Sequence, residues 1–254
     1  INTANTMETS NIIPTQAPSI GELVSNDWRK AEVFKKYGID FCCGGKRTVA
    51  EACSKKNIDV SKIESELREV EGRGTTNTHN FNNWELDFLV DYIVNNHHKY
   101  VTSAIPFLDE LSIKVARVHG DHHPELIEIE QYTQEVIEEL TMHMQKEENI
   151  LFPYIKKLAQ AKKNNESINP PPFGTIANPI NMMEAEHTSA GSAMESIEDL
   201  SSRFTPPHDA CMSYRVLFAK LQEFQSDLHQ HIHLENNILF PKALKLEKEL
   251  LKQS

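Results

Sequence analysis

Apolar residues recur every three or four positions along four long segments that follow Leu86. This spacing places them on one face of a helix and predicts four amphipathic helices that share a core. Breaks rich in proline, glycine or asparagine, such as ARVHGDHHPE and RFTPPHDAC, separate the segments. The pattern therefore predicts an all-α fold with an up-down four-helix bundle. The predicted inward positions are Leu86, Val90, Ile93, His97, Tyr100 and Ala104 in the first helix, Val136, Leu140, His143, Glu147, Ile150 and Tyr154 in the second, Ile180, Met183, His187, Ala190, Met194 and Ile197 in the third, and Leu217, Leu221, Phe224, Leu228, His231, Glu235 and Ile238 in the fourth.

Histidine interrupts each apolar face once, and glutamate follows four residues later in the repeated segments HMQKEENILFP and HIHLENNILFP. A single histidine on such a face is more often a hydrogen-bonded core residue than a ligand. Four at matching positions favour a metal centre, since unpaired buried carboxylates are costly. Six nitrogen and oxygen ligands suit two iron ions, bridged by both glutamates and an oxo or hydroxo group, better than a closed zinc site. The predicted ligands are His97, His143, His187, His231, Glu147 and Glu235.

Several residues flank these positions. Pro153 and Pro241 close the two repeated segments, and we expect each to bend or end its helix at a matching height. His98, His229 and His233 are expected to lie on other helix faces than the ligands.

The N-terminal part of the chain differs from the bundle in pattern. Residues 1–19 are polar and are expected to be disordered. Residues 20–70 predict short helices around a tight turn, where Cys42 and Cys43 precede Gly44 and Gly45. Residues 71–83 have the composition of a linker. We therefore predict an N-terminal helical domain at 20–70 and a bundle at 84–250.

Composition narrows the class of protein. The formal net charge is −11 at pH 7, which disfavours binding to nucleic acid. No stretch approaches the length of a transmembrane helix and no secretory signal is evident, so we expect a soluble cytoplasmic protein without a membrane partner. The 4 cysteines are too few for a disulfide scaffold. We expect Cys53 and Cys211 to serve packing.

Two sets of motifs resemble one family. The bundle pattern H…HxxxE…H…HxxxE resembles the hemerythrin-like di-iron fold, and YGIDFCCGGKRTVAEAC resembles the cysteine-pair domain that precedes it in the iron–sulfur cluster repair di-iron proteins (the RIC, or ScdA/YtfE, family). ARVHGDHHPEL and the EAEH motif ending at His187 are also similar to that family. The resemblance implies the same six iron ligands. It also implies two carboxylates near the iron, Glu139 and Glu186.

The resemblance implies a stress-response protein that repairs damaged iron–sulfur proteins. Nitric oxide chemistry of a reductase type, or donation of iron, would be its activity at a di-iron centre, and a homodimer its assembly. An alternative is a hemerythrin-type oxygen-binding or sensing protein, although such carriers use five histidines and we find four on the spines. A third hypothesis is a regulator whose cysteine domain docks a partner and whose metal is structural.

The adjacent cysteines leave more than one interpretation. A disulfide between neighbours is strained and easily reduced, which suits a redox or nitrosation role for Cys42 and Cys43. The same thiols could bind or transfer iron. They could also be a small buried residue followed by a turn residue.

Overall fold

The computed structural model describes residues 17–72 and 80–252. Within these ranges the chain forms eight helices, and a bridge between Ser19 and Thr48 is the only β pairing. The predicted all-α fold class is therefore confirmed. The short N-terminal helices are α1 (Ile20–Asn26), α2 (Lys30–Lys36), α3 (Val49–Lys56) and α4 (Val60–Gly72). After a 3-10 turn at Phe81–Asn83, the long helices are α5 (Leu86–Ile93, Val94–His98, Lys99–His119), α6 (Glu125–Lys146, Glu147–Leu151, Phe152–Asn164), α7 (Ala177–Leu200) and α8 (Met212–Leu234, Glu235–Leu239, Phe240–Leu251).

Capping boxes fix the starts of two short helices. Ser19 Oγ accepts from the Glu22 N–H at 3.2 Å, and the Glu22 carboxylate accepts from the Ser19 N–H at 2.7 Å. Thr48 and Glu51 repeat this arrangement at α3. Each cap stabilises its helix by about 1 kcal/mol. Of the predicted disordered segment, residues 1–16 lie outside the described residues, and Ser19 belongs to a cap.

The four long helices alternate in direction. The first part of α5 packs against the last part of α6, whereas the second part of α5 packs against the first part of α6. Along the helices, buried polar residues separate two sets of buried apolar residues. One apolar cluster contains Ile93 and Phe152, and the other contains Val101 and Leu140. The bundle core is thus two apolar clusters with a polar layer between them.

The N-terminal helices share a core with the bundle. Phe41 is buried in the same apolar cluster as Leu228 and Ile232 of α8. The Asn237 side chain donates hydrogen bonds to the carbonyls of Phe41 at 3.4 Å and Cys42 at 3.0 Å. The first helices are therefore held against α8 by both apolar burial and hydrogen bonds.

The division into two domains with a linker at 71–83 stays a prediction. Residues 73–79 of that segment lie outside the described residues. Its described parts are the end of α4 and the 3-10 turn that precedes α5.

Five-residue π turns form the middle segments of α5, α6 and α8. In α6, the Phe152 N–H bonds to the Glu147 carbonyl five residues back. Pro153 follows and has no N–H, so one backbone hydrogen bond of the regular helix is missing at this point. Of the two outcomes expected at the proline, bending or ending, ending does not occur, because the helix continues to Asn164. The matching residues in α8 are Glu235, Phe240 and Pro241.

The π turns also shift which residues face the core. Ile150 was predicted inward and is 50% exposed, whereas Leu151 is 1% exposed. In α5, Val101 is buried and the predicted Tyr100 is only partly so. These two predictions are wrong because each π turn adds one residue to the helical repeat.

No helix in the described ranges combines the length and the apolar character needed to cross a lipid bilayer.

Candidate metal centre

The polar layer contains two overlapping groups of potential metal ligands. Their ligand atoms lie within 4.8 Å of one another inside each group, and every member is buried. Both glutamates are 0% exposed and belong to both groups, so each has an oxygen within reach of either group. One group contains His98, Glu147, His231 and Glu235, and the other contains His143, Glu147, His187 and Glu235.

Inside the layer the histidine Nε2 atoms meet the carboxylate oxygens. Glu147 Oε2 lies 3.3 Å from His143 Nε2 and 3.4 Å from His98 Nε2. Glu235 lies 3.2 Å from His231 Nε2 through Oε1 and 3.0 Å from His187 Nε2 through Oε2. The two HxxxE pairs therefore direct their polar atoms toward one small volume from opposite helices.

Outer residues orient three of these four imidazoles. The Nδ1 atom of His98 lies 2.7 Å from Glu148 Oε1, and that of His143 lies 2.9 Å from Glu186 Oε2. The Nδ1 atom of His187 lies 2.8 Å from Asn236 Oδ1. An acceptor at Nδ1 holds the proton there and leaves Nε2 free to bind a metal, as is usual for metal-binding histidines. The helical pattern predicts no role for Glu148 or Asn236, although both lie next to predicted ligand positions.

The layer fits a metal because its own polar atoms are not satisfied. Although Glu147 Oε2 lies 3.3 to 3.4 Å from two imidazole nitrogens, neither carboxylate oxygen of Glu147 makes a hydrogen bond, and neither does His98 Nε2, although all are buried. Buried polar atoms without partners are costly, and metal ions are a common resolution. Mixed imidazole and carboxylate donors suit iron among the transition metals.

The charges of the buried histidines and glutamates also favour a metal ion in the layer. Burial lowers the pKa of His143, but the carboxylates of Glu147, Glu235 and Glu186 together outweigh burial and raise that pKa to about 9. Burial raises the pKa of Glu235, but the interactions with His231 and His187 have a larger, opposite effect and bring that pKa well below its usual range. Positive charge in the layer therefore favours the ionised carboxylates, and a metal ion supplies such charge compactly.

Five of the six predicted ligands come together with His98 in these groups, and His97 does not belong to either group. His97 Nδ1 lies 2.9 Å from Asp227 Oδ1, and its ring stacks on His231 with centroids 5.5 Å apart. Both neighbours, His97 and His98, lie at the end of the π turn in α5, which a regular helical period cannot place. The expectation that His98 lies on another face is wrong, because its Nε2 points into the layer.

The two carboxylates implied by the family resemblance lie in different environments. Glu186 is 28% exposed at its side chain and contacts both His143 Nδ1 and the Lys146 ammonium. Burial raises the pKa of Glu186, but the hydrogen bonds from Lys146 and His143 have a larger, opposite effect, so the pKa is lowered and Glu186 is ionised at neutral pH. Glu139 is exposed and accepts a hydrogen bond from Ser189 at 3.2 Å. Glu186 thus contacts a layer histidine directly, whereas Glu139 contacts Ser189 of α7.

The adjacent cysteines lie close to the same helix as one layer histidine. Both thiols are free, and Cys42 is buried while Cys43 is partly exposed. Cys43 Sγ lies 3.6 Å from the backbone carbonyl of His187. The predicted cysteine pair and the polar layer are therefore on neighbouring sides of α7.

The other side of α8 packs His233 against the N-terminal helices. Its Nε2 lies 3.3 Å from Ser25 Oγ, its Nδ1 lies 3.2 Å from Asn237 Nδ2, and its ring contacts Trp28. Burial lowers the pKa of His233 to about 4. Protonation of this imidazole therefore opposes docking of the N-terminal helices.

Acid is expected to weaken that docking through His233. Because its folded pKa lies below the unfolded value of about 6.5, this contribution to stability is full above pH 6.5 and decreases by about 3 kcal/mol between pH 6.5 and 4. Emission from Trp28 in a Trp84→Phe background would follow the transition. His233→Gln should flatten the pH dependence between 6.5 and 4, and an unchanged acid transition in this variant would contradict the prediction.

Comparison with known proteins agrees with the site. Residues 16–71 match ScdA_N, a domain of unknown function, and residues 89–243 match the hemerythrin HHE cation binding domain. The iron-sulfur cluster repair protein YtfE of Yersinia pseudotuberculosis (serotype O:1b) is 35% identical over 232 residues, which cover 90% of this chain and 97% of that protein. The protein of the same name from Musicola paradisiaca is 37% identical over the same lengths.

The fold and the buried histidine and glutamate groups define a hemerythrin-like cation-binding protein. With both domain matches in this order and such relatives over nearly the whole length, the chain belongs to the YtfE-type iron–sulfur cluster repair family.

Proposed function

We propose that this protein repairs damaged iron–sulfur clusters and that its polar layer binds two iron ions. The buried group of four histidines and two glutamates carries the proposal, together with the similarity over 90% of the chain to iron-sulfur cluster repair proteins. Glu147 and Glu235 would bridge the ions, since each belongs to both ligand groups. The proposed terminal ligands are His98, His143, His187 and His231.

The chain's own residues prepare the site for this role. Bound iron would supply one-electron redox chemistry and a place for nitric oxide to bind, or would itself be the material donated. Glu186 keeps the proton of His143 on Nδ1, so Nε2 stays available as a ligand. The carboxylate of Glu186 also lies half-buried between that histidine and Lys146, where it can accept or pass on a proton. The apolar clusters on both sides exclude bulk water from the layer.

A repair assay tests the function. The iron-loaded protein should restore activity to a cluster-containing dehydratase previously damaged by peroxide or nitric oxide, under anaerobic conditions with a reductant. The apoprotein should restore far less. Glu138→Gln, an exposed position on α6, serves as the matched control and should behave like the wild type. Equal recovery with the apoprotein would reject a role for the bound metal.

Two additional measurements distinguish the chemistry. Release of iron to the damaged enzyme, followed with an isotope label, supports donation, whereas consumption of nitric oxide with formation of nitrous oxide supports reductase-type chemistry. Reversible oxygen binding with neither result would favour the oxygen-binding alternative. Inertness in all three would favour a regulator with a structural metal.

The family resemblance also leads us to propose a cytoplasmic homodimer. Light scattering of the purified protein tests the assembly, and fractionation of the source cells tests the location. A monomer at micromolar concentration would reject the dimer.

A further inference from the structure

The loop between α2 and α3 places two thiols and a carboxylate at a cavity of about 170 Å³. One ligand atom from each of Asp40, Cys42 and Cys43 lies within 4.8 Å of the other two. The cavity lies between this loop and helices α7 and α8, and it is distinct from the polar layer of the bundle. None of these three residues belongs to either ligand group of that layer.

Asp40 arranges the loop so that both sulfur atoms converge. Its Oδ1 accepts from the N–H groups of Cys42 at 2.9 Å and Cys43 at 3.0 Å, and its Oδ2 accepts from the Gly44 N–H at 2.7 Å. Three backbone donors hold the carboxylate and the loop in one geometry. Because a carboxylate oxygen accepts two hydrogen bonds, Oδ2 keeps one lone pair free.

A fourth donor lies at the same cavity. His229 is one of its lining residues, and the buried Nδ1 of His229 has no hydrogen-bond partner. The ring of His229 packs on Phe41, with the ring centroids 5.9 Å apart, and Phe41 directly precedes the cysteine pair in the sequence. His229 is not part of the group of Asp40, Cys42 and Cys43 whose ligand atoms lie within 4.8 Å of one another, but an imidazole nitrogen without a partner that lines the same cavity is a chemically suitable additional ligand.

We propose that Asp40, Cys42 and Cys43 form a separate site for one thiophilic divalent ion, of the Zn²⁺ or Fe²⁺ type, with His229 as the fourth ligand. Two sulfur, one oxygen and one nitrogen donors match the tetrahedral preference of such ions and disfavour Mg²⁺ and Ca²⁺. Binding converts two thiols to thiolates, so the ion replaces two protons that pass to the solvent. The site does not depend on the proposed repair function.

Proton release gives the site a characteristic pH dependence. A hydrogen bond with Cys43, together with burial, raises the pKa of the Cys42 thiol well above its usual range. The ion must therefore compete with protons at neutral pH. The apparent affinity should rise by up to about 100-fold per pH unit, because two protons leave for each ion bound.

The test uses Co²⁺ as the probe on the full-length protein with its bundle site already loaded with iron, under anaerobic conditions. We expect one Co²⁺ per chain, a sulfur-to-cobalt charge-transfer absorption and release of two protons. The double variant Cys42→Ser with Cys43→Ser should lose all three signals. Cys211→Ser removes an exposed thiol away from the cavity and Cys53→Ser a buried one, so both should retain them.

A second measurement needs no variant and so does not depend on folding of the serine protein. Zn²⁺ should protect Cys43 from alkylation in the wild type, as read by mass spectrometry, while Cys211 stays reactive. The proposal is overturned if Cys43 is alkylated equally with and without Zn²⁺, or if no charge-transfer absorption appears in the wild type. Survival of the absorption in the double variant, or its loss in Cys211→Ser, would overturn it as well.

Discussion

Glu147→Gln is expected to reduce iron binding by more than about 100-fold, beyond the 10- to 100-fold typical of residues outside the ligand shell. Glu147 is fully buried and belongs to both ligand groups, so its loss affects both proposed ions. The amide is neutral and nearly the same size, so the change removes charge and a bridging oxygen without leaving a cavity. Metal analysis after anaerobic reconstitution measures the effect.

Thermal unfolding separates a ligand from a residue that only supports the fold. Because an ion that binds only the folded state adds stability, iron should raise the Tm of the wild type and hardly that of Glu147→Gln. The apoprotein of Glu147→Gln should unfold at a temperature no lower than that of the wild-type apoprotein, since the variant no longer has two buried carboxylates facing each other. Glu138→Gln, exposed on the same helix, should bind iron as the wild type does. Full iron occupancy in Glu147→Gln would show that this glutamate is not a ligand.

His98→Ala is expected to lose one of the two proposed irons, whereas His97→Ala should keep both. The reason is geometric: His98 Nε2 faces Glu147 in the layer, and His97 Nδ1 instead pairs with Asp227. Iron content and the absorption of the oxo-bridged centre measure the result. His97→Ala is a demanding control, because it removes a buried imidazole of equal size from the adjacent position.

The opposite outcome would favour the assignment drawn from the helical period. If His97→Ala lost iron and His98→Ala kept it, the π turn of α5 would have to differ when metal is bound. Loss in both variants together with a lower Tm of the apoproteins would indicate a packing defect. The apoprotein Tm should therefore be measured for each variant.

The bundle could be predicted from sequence because the spacing of apolar residues is a local pattern that recurs in all four long helices. In α7, which has no π turn, the predicted inward residues from Ile180 to Ile197 are all buried. Two of the three helices with π turns depart from the prediction, as Tyr100 in α5 and Ile150 in α6 show, whereas in α8 the predicted Ile238 is buried. A steady period of three and four positions cannot signal where an extra residue enters a turn. The doublet of His97 and His98 stands at such a place, so its order could not be resolved by counting.

Contacts between distant parts of the chain were also beyond prediction. Nothing in the segment around Cys43 specifies that its thiol meets the carbonyl of His187. The pairing of Glu186 with His143 joins different helices and depends on their relative rotation. Sequence period gives the face of a helix, whereas side-chain partners across helices depend on how those faces are packed.

The contact of Asn237 with the carbonyls of Phe41 and Cys42 joins residues near opposite ends of the chain. During synthesis the N-terminal helices emerge first, but the surface that covers them belongs to α8, which emerges last. Their apolar side chains must wait for nearly the whole protein before they are buried, and closing so long a loop slows folding. A ribosome stalled before α8 would therefore hold an exposed cysteine loop and an incomplete set of ligands, which makes the last helix the step that completes both.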